Sequence, residues 1–211
     1  MTRTVIQSDD IASGAIPENG FASVQTFTSS GTWTKPSGIT KIKITVIAGG
    51  GGGGKGHPTA SYGATGGQAG GAAIKNIYDV TGISSATITI GAGGTGGQSP
   101  TTGGASSYAD GALTISCPGG AVGLSYTSQQ TSSGVPTGGD IIIEGALGYM
   151  NSVGYRGGAG GSSLLSGGGA ATYNRVGQSS TGYGGGGSGA GNSNGNGGAG
   201  SGGICIIEEY K

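Results

Sequence analysis

The sequence predicts an all-β fold, an antiparallel β-sandwich with a jelly-roll-like body and long glycine-rich loops. Alternating apolar and polar residues recur along the chain with the period of two that is typical of half-buried strands. Glycine or proline interrupts every window of about a dozen residues before apolar residues repeat at helical spacing. Short strands joined by glycine-rich connections favour a sandwich over an α/β fold.

The strand signals form seven runs. The first leads from Phe21 through Phe27 to Trp33 and stops at Pro36-Ser37-Gly38, which predicts a turn. Each of four other runs places three of its residues on one face of its own strand. These residues are Ile42, Ile44 and Val46; Ala86, Ile88 and Ile90; Leu113, Ile115 and Cys117; and, in the C-terminal run, Ile204, Ile206 and Tyr210. Two further runs are AAIKNIYDV and DIIIEG. We expect the C-terminal run to pair with residues 41–47 and close the sandwich.

Glycine dominates the composition, with 55 of 211 residues. It has no side chain to bury and loses the most backbone entropy on folding, so disorder is the competing interpretation. Against disorder, the net charge is zero and only 9% of residues are charged, whereas disordered chains usually carry high net charge.

Residues 157–203 are the most glycine-rich region, and three arrangements are open for them. They could form a flexible linker, a disordered low-complexity tail, or packed polyglycine II-type helices with three residues per turn. A strong strand follows the tract, so both of its ends are tied to the folded body. Packing would also give partners to its backbone N–H and C=O groups, which favours the ordered arrangement.

The stretch Gly49–Gly54, with Lys55 and Gly56, matches a phosphate-binding loop except for the final hydroxyl. Gly56 cannot ligate magnesium, and the proline and glycines that follow cannot form the required helix. The chain has one histidine, and its carboxylates are isolated or near the ends, without metal-ligand spacing. We therefore expect a non-enzyme without cofactor or metal.

Charge and hydropathy also bear on partners and location. No run of like charges exists, which argues against nucleic-acid binding. The apolar runs are far shorter than the ~20 residues that span a bilayer. The N-terminus lacks an apolar signal-peptide core, so we expect synthesis in, and initial retention in, a cytoplasm. Cys117 and Cys205 lie in strand-like runs and are interpreted as buried apolar positions rather than as an indicated disulfide.

Nine tyrosines suggest recognition, because tyrosine among glycine, serine and asparagine is the composition of antibody-like binding loops. Nearby arginines can pair with carboxylate or phosphate groups on a surface glycan. For any single tyrosine, the alternative is that it fills a gap between glycine segments. The candidate receptor-binding residues are Tyr149, Tyr155, Arg156, Tyr173, Asn174, Arg175, Tyr183, Tyr126, His57 and Tyr62.

Two stretches, FTSSGTWTKPSGITKIKITVIAGGGGGG and the closing GGAGSGGICIIEEYK, resemble the glycine-rich domain found in bacteriophage and prophage tail fibre proteins. The resemblance covers roughly residues 25–211. A more distant similarity is to the distal adhesins of T-even-like phages, whose polyglycine-type helices form a sandwich and display variable loops.

The resemblance implies a tail fibre or tip adhesin in the virion, made in the host cytoplasm. It would bind a host surface glycan or outer-membrane component without cleaving it. Residues 1–24 would form an attachment segment for the tail baseplate or another fibre protein, and residues 25–211 the receptor-binding domain. A homotrimer is also implied. The alternative is a structural virion component, a fibre connector or baseplate cap. An ice-binding glycine-helix bundle is disfavoured because no period-three pattern is sustained.

Overall fold

The computed structural model describes residues 20–56, 63–125, 132–150, 155–191 and 195–211. These residues contain strands and irregular segments but no helix, and hence no helix that could cross a membrane. Their strands are β1 (Phe21–Phe27), β2 (Gly31–Thr34), β3 (Lys41–Ile47), β4 (Ala72–Asp79), β5 (Ser85–Thr89), β6 (Ser106–Ala109), β7 (Thr114–Cys117), β8 (Ile141–Ile143), β9 (Arg156–Gly157), β10 (Thr172–Tyr173) and β11 (Ile204–Tyr210).

Two antiparallel sheets form the body. One has the strand order β1-β11-β3-β4-β8 and the other the order β2-β5-β6-β7, while β9 and β10 form a separate pair. The C-terminal strand β11 lies between β1 and β3, and its register with β3 runs from Ile204 opposite Ile47 to Tyr210 opposite Lys41. The predicted pairing of the C-terminal run with residues 41–47 is confirmed.

One hydrophobic core lies between the two sheets, which confirms the sandwich. Trp33, Tyr108 and Ile115 from the smaller sheet pack with Ile44 and Ile207 from the larger one. The residues predicted to face inward on β3, β5 and β7 belong to this core or pack against it. The turn after β2 is also confirmed, since Ile39 N donates to Pro36 O at 3.3 Å.

The inward face of β11 differs from the simplest interpretation of its sequence. Ile204, Ile206 and Tyr210 share a face, but Cys205, Ile207 and Glu209 are the fully buried alternate residues. The reason is a buried carboxylate. Glu209 accepts hydrogen bonds from Trp33 Nε1 at 2.7 Å, from Gln25 Nε2 at 2.8 Å and from the Ser23 hydroxyl. These partners stabilise an acidic residue inside the sandwich, so the polar residue of the alternating pattern points inward.

On the opposite face of the larger sheet, Ile47, Ala72 and Ile204 form a second, smaller cluster. Cys117 and Cys205 are free and buried, as expected. Burial raises the pKa of both thiols to about 12, so they remain protonated at neutral pH.

A glycine lattice continues from the end of β3. The amides of Gly49–Gly54 donate hydrogen bonds of 2.8–3.0 Å to three neighbouring segments in strict rotation. Gly49 and Gly52 donate to residues 101–104, Gly50 and Gly53 to residues 198–201, and Gly51 and Gly54 to residues 65–68. A repeat of three residues is that of the extended polyproline-type helix, here in its polyglycine form.

The carbonyl groups of the same segment accept from three more neighbours. Residues 118–124 donate to Gly49 and Gly52, residues 184–190 to Gly51 and Gly54, and Gly94 donates to Gly50. The central segment, residues 48–56, is thus enclosed by six others: 63–71, 91–97, 101–104, 118–124, 184–190 and 195–203. We call these segments, with the outer ones packed on them (145–149, 156–161, 167–169 and 175–180), the glycine bundle.

Most of the described part of residues 157–203 belongs to this bundle, so the packed arrangement is the one observed there. Gly187 N donates to Gly51 O and Gly189 N donates to Gly158 O. The glycine-rich tract therefore forms bundle segments through regular hydrogen bonds between neighbouring backbones.

The bundle has two distinct ends. Next to the sandwich, Ala48 N donates to Gly71 O; at the other end, Gly56 N donates to Gly195 O and Gly191 N donates to Arg175 O. We call this second end the tip. At the opposite pole of the molecule, beyond the sandwich, Lys211 N donates to Gly20 O. Strand β1 starts there at Phe21, inside the predicted attachment segment.

Candidate functional site

Five of the candidate residues lie together at the tip. Strands β9 and β10 pair antiparallel and place Tyr173 opposite Arg156. The Arg156 Cζ atom lies 5.8 Å from the centroid of the Tyr173 ring, within range of a cation–π interaction. Tyr155, Asn174 and Arg175 directly flank these two residues.

Backbone geometry closes this strand pair. Asn174 N donates to Tyr155 O at 2.7 Å. Asn174 has a φ of +49°, in the left-handed region that asparagine tolerates better than most residues. Tyr155 has a φ of +20°, which is unusual for an aromatic residue. Backbone strain of this kind persists where the surrounding structure holds it, and it is common at binding sites.

A cavity of about 140 Å³ opens beside the pair and is lined by Arg156, Ala171, Thr172 and Tyr173. Thr172 is buried, and its hydroxyl donates to Gly189 O of the bundle at 3.2 Å. This lining residue is thereby fixed to the glycine lattice. Tyr173, by contrast, is 66% exposed.

Tyr149 is displayed towards the same end by a different segment. Its N–H donates to Ala159 O and its carbonyl accepts from Gly66 N, at 2.9 and 3.1 Å. The backbone is thus held on both sides, while the side chain is 71% exposed. Because the backbone is already fixed, binding would order only the two side-chain torsions of this tyrosine, which costs little conformational entropy.

The remaining candidates divide into two groups. Tyr183 lies near the sandwich, where it is half-buried and packs against the cluster of Ile47, Ala72 and Ile204. It fills a gap in the scaffold and is not near the tip. His57, Tyr62 and Tyr126 lie outside the described residues.

Sequence reasoning missed other side chains at the tip. Gln98 Nε2 donates to Asn196 Oδ1 at 2.6 Å beside the Gly97–Gly197 bridge. Met150 and Val176 are exposed next to candidate residues. For Met150 and Val176 a usable signal was present in the sequence, because each directly follows a candidate residue, Tyr149 or Arg175. Nothing local marks the Gln98–Asn196 pair, because the partners are distant in sequence.

The phosphate-loop match has a structural explanation. The N–H groups of Gly49–Gly54 all donate to neighbouring segments, so the stretch is a lattice of paired backbone. Within the described ranges, no group of three His, Cys, Asp or Glu residues could hold a metal ion.

No curated protein matches the chain in sequence. A family model described as a glycine-rich domain matches residues 24–210, from the middle of β1 to the end of β11. The match spans both the sandwich and the bundle that carries the tip. The chain therefore belongs to the family of glycine-rich domains.

Proposed function

We propose that the protein is a bacteriophage tail fibre or tip adhesin, which attaches the virion to a host cell by binding a surface glycan or outer-membrane component without cleaving it. The observation that supports this most is the tip, where Tyr149, Arg156 and Tyr173 are exposed on a hydrogen-bonded scaffold. Aromatic and arginine anchors on a rigid support are the usual source of binding energy in recognition surfaces.

The polarity of the molecule supports the same role. Gly20 and the start of β1 lie at the pole opposite the tip. Residues 1–24 would attach this pole to the tail baseplate or to another fibre protein and leave the tip facing outwards. In a homotrimer, and with several fibres per virion, weak contacts at each tip would add up through multivalency.

Competition for adsorption tests the proposal. Cells of the phage's host are incubated with the purified protein at saturation, and unadsorbed phage are then counted. We expect a large reduction in adsorption, because the protein occupies the receptor. Normal adsorption at saturating protein would contradict the adhesin role.

The alternative is a structural virion component such as a fibre connector or baseplate cap. It is favoured by the bundle itself, which explains most of the glycine through packing alone. Phage carrying Tyr149→Ser and Tyr173→Ser together distinguish the two roles. An adhesin variant would assemble into normal particles that adsorb poorly, whereas a connector would show normal adsorption of every assembled particle.

A further inference from the structure

The zero net charge of the chain conceals a separation of charge along the molecule. All carboxylate side chains of the described residues belong to the sandwich or its adjoining turns: Asp79, Asp110, Asp140, Glu144, Glu208 and Glu209. Among the described residues of the bundle beyond them, every charged side chain is cationic: Lys55, Arg156 and Arg175. Lys55 lies between Gly54 and Gly56 near the tip, and the two arginines lie at the tip itself.

Distance keeps these charges apart. Eight residues lead from Ala48 to Gly56, and at a rise of about 3.1 Å per residue they span about 25 Å. The Debye length at physiological ionic strength is only about 8 Å. Carboxylates of the sandwich therefore do not neutralise the tip. The two ion pairs among the described residues, Lys43–Glu208 and Lys75–Asp140, both belong to the sandwich.

Arg156 is the cation best placed to bind a ligand. Its guanidinium faces the Tyr173 ring and lines the cavity of about 140 Å³. This volume is below the ~300 Å³ that typically encloses a drug-sized ligand, so it suits one unit of a longer chain. Guanidinium groups pair with carboxylate and phosphate in a planar, bidentate geometry, and exposed tyrosine rings pack on apolar ring faces.

We propose that the tip binds an anionic unit of a surface polysaccharide, with Arg156 paired to its carboxylate or phosphate and Tyr173 packed against the adjacent sugar ring. The proposal rests on the adhesin function and specifies its ligand. Arg175 and Lys55 add positive potential that raises the rate of encounter with an acidic polymer.

Chemically modified host polysaccharide tests this with the unaltered protein. Envelope polysaccharide from the adsorbing host is used in native, carboxyl-reduced and dephosphorylated forms, and dissociation constants are measured at low and high salt. We expect one treatment to weaken binding at least about tenfold, and the effective treatment identifies the anionic group. Added salt should weaken binding of the native form. Equal binding of all three forms would overturn the proposal.

A matched pair of variants tests the residue. Arg156→Gln and Lys41→Gln remove one positive charge each from exposed positions, at the tip and in the sandwich. Arg156→Gln should weaken binding to the native polysaccharide about tenfold, as expected for a lost charge-assisted contact, and Lys41→Gln less than twofold. Arg156→Lys, which keeps the charge, should retain more affinity than Arg156→Gln. Wild-type affinity in Arg156→Gln would overturn the assignment.

Binding to whole host cells separates this inference from the adhesin role. If the unaltered protein binds cells but none of the polysaccharide forms, the anionic ligand is wrong and the adhesin role stands. If it binds neither, both proposals fail. If it binds both, and modification of the polysaccharide abolishes binding, both are supported.

Discussion

At the residue scale, the central glycines are required by space and not by unusual backbone angles. A Cβ added at any of Gly49–Gly54 would come within 3.0 Å of a neighbouring carbonyl oxygen, closer than real Cβ atoms approach. None of these six has a positive φ, in contrast to Gly38 with a φ of +79°. Each central glycine therefore allows two segments of the chain to approach closely enough for backbone hydrogen bonds to form between them.

Gly51→Ala tests this requirement. The new methyl group would meet Ala121 O and force the central segment away from its neighbours. We expect the free energy of unfolding, measured by urea denaturation, to fall by about 1–3 kcal/mol or more, as for overpacked cores. Gly82→Ala is the matched control, because nothing lies within 4 Å of its added Cβ, and it should change stability by less than about 0.5 kcal/mol. Equal effects of the two substitutions would contradict the packing explanation.

At the element scale, β11 joins the two parts of the larger sheet and carries the buried Glu209. It pairs with β1 on one side and β3 on the other, and Glu209 accepts hydrogen bonds from three side chains. The adjacent Glu208 points to the other face, where it pairs with Lys43 at 2.8 Å and is about one-third exposed. Two neighbouring carboxylates thus have different roles because alternate residues of a strand face opposite sides.

Glu209→Gln and Glu208→Gln form a matched pair. In Glu209→Gln an amide NH₂ replaces an acceptor oxygen among buried donors, so we expect a loss of about 1–3 kcal/mol in unfolding free energy. Glu208→Gln should cost about 0–1 kcal/mol, since the ion pair is partly exposed. The hydrogen bond from Lys43 lowers the pKa of Glu208, so this small contribution is present at neutral pH and is lost as pH falls through that pKa. A larger effect at Glu208 than at Glu209 in thermal or urea unfolding would contradict these roles.

The central segment is the second informative element. The amides of Gly49–Gly54 are all hydrogen-bonded to the segments that enclose them. Native-state hydrogen exchange followed by NMR should therefore show Gly49–Gly54 among the slowest-exchanging amides, with protection close to that of β3 and β11. Exchange at the rate of an unstructured chain would mean that the glycine tract is a mobile loop.

The sequence predicted some of these elements and not others, for physical reasons. Period-two alternation identified β3, β5 and β7 with their inward residues, because apolar side chains alone fill that part of the core. It did not identify the inward face of β11, where Glu209 is stabilised by residues of β1 and β2. Strands β6, β9 and β10 escaped prediction because they are short and poor in apolar residues.

The candidate site was predictable in composition but not in geometry. Tyrosine and arginine among glycine marked Tyr149, Arg156 and Tyr173 as displayed residues. That Arg156 and Tyr173 face each other follows from the β9–β10 register, which depends on contacts between residues 15 and 17 positions apart in the sequence. Tyr183 has the same local composition, yet it packs near the sandwich because its segment starts at that end of the bundle.

At the scale of the whole molecule, the sandwich and the glycine bundle lie between two opposite poles. Gly20 and Lys211 lie at one pole, and the exposed tyrosines and arginines lie at the other. The bundle keeps the tip rigid with little side-chain mass, since paired backbones replace a conventional core between the sandwich and the tip. We propose that host recognition occurs at the tip and that the sandwich pole does not contribute to it.

The test of this proposal compares how two double variants of the labelled protein bind to host cells. Tyr149→Ser with Tyr173→Ser removes exposed anchors from the tip, and Phe21→Ser with Val24→Ser removes comparably exposed apolar groups from the sandwich pole. The tip variant should bind at least about tenfold more weakly than wild type, since aromatic anchors each contribute more than about 1 kcal/mol. The sandwich variant should bind within about twofold of wild type. Wild-type binding by the tip variant, or an equal loss in the sandwich variant, would contradict recognition at the tip.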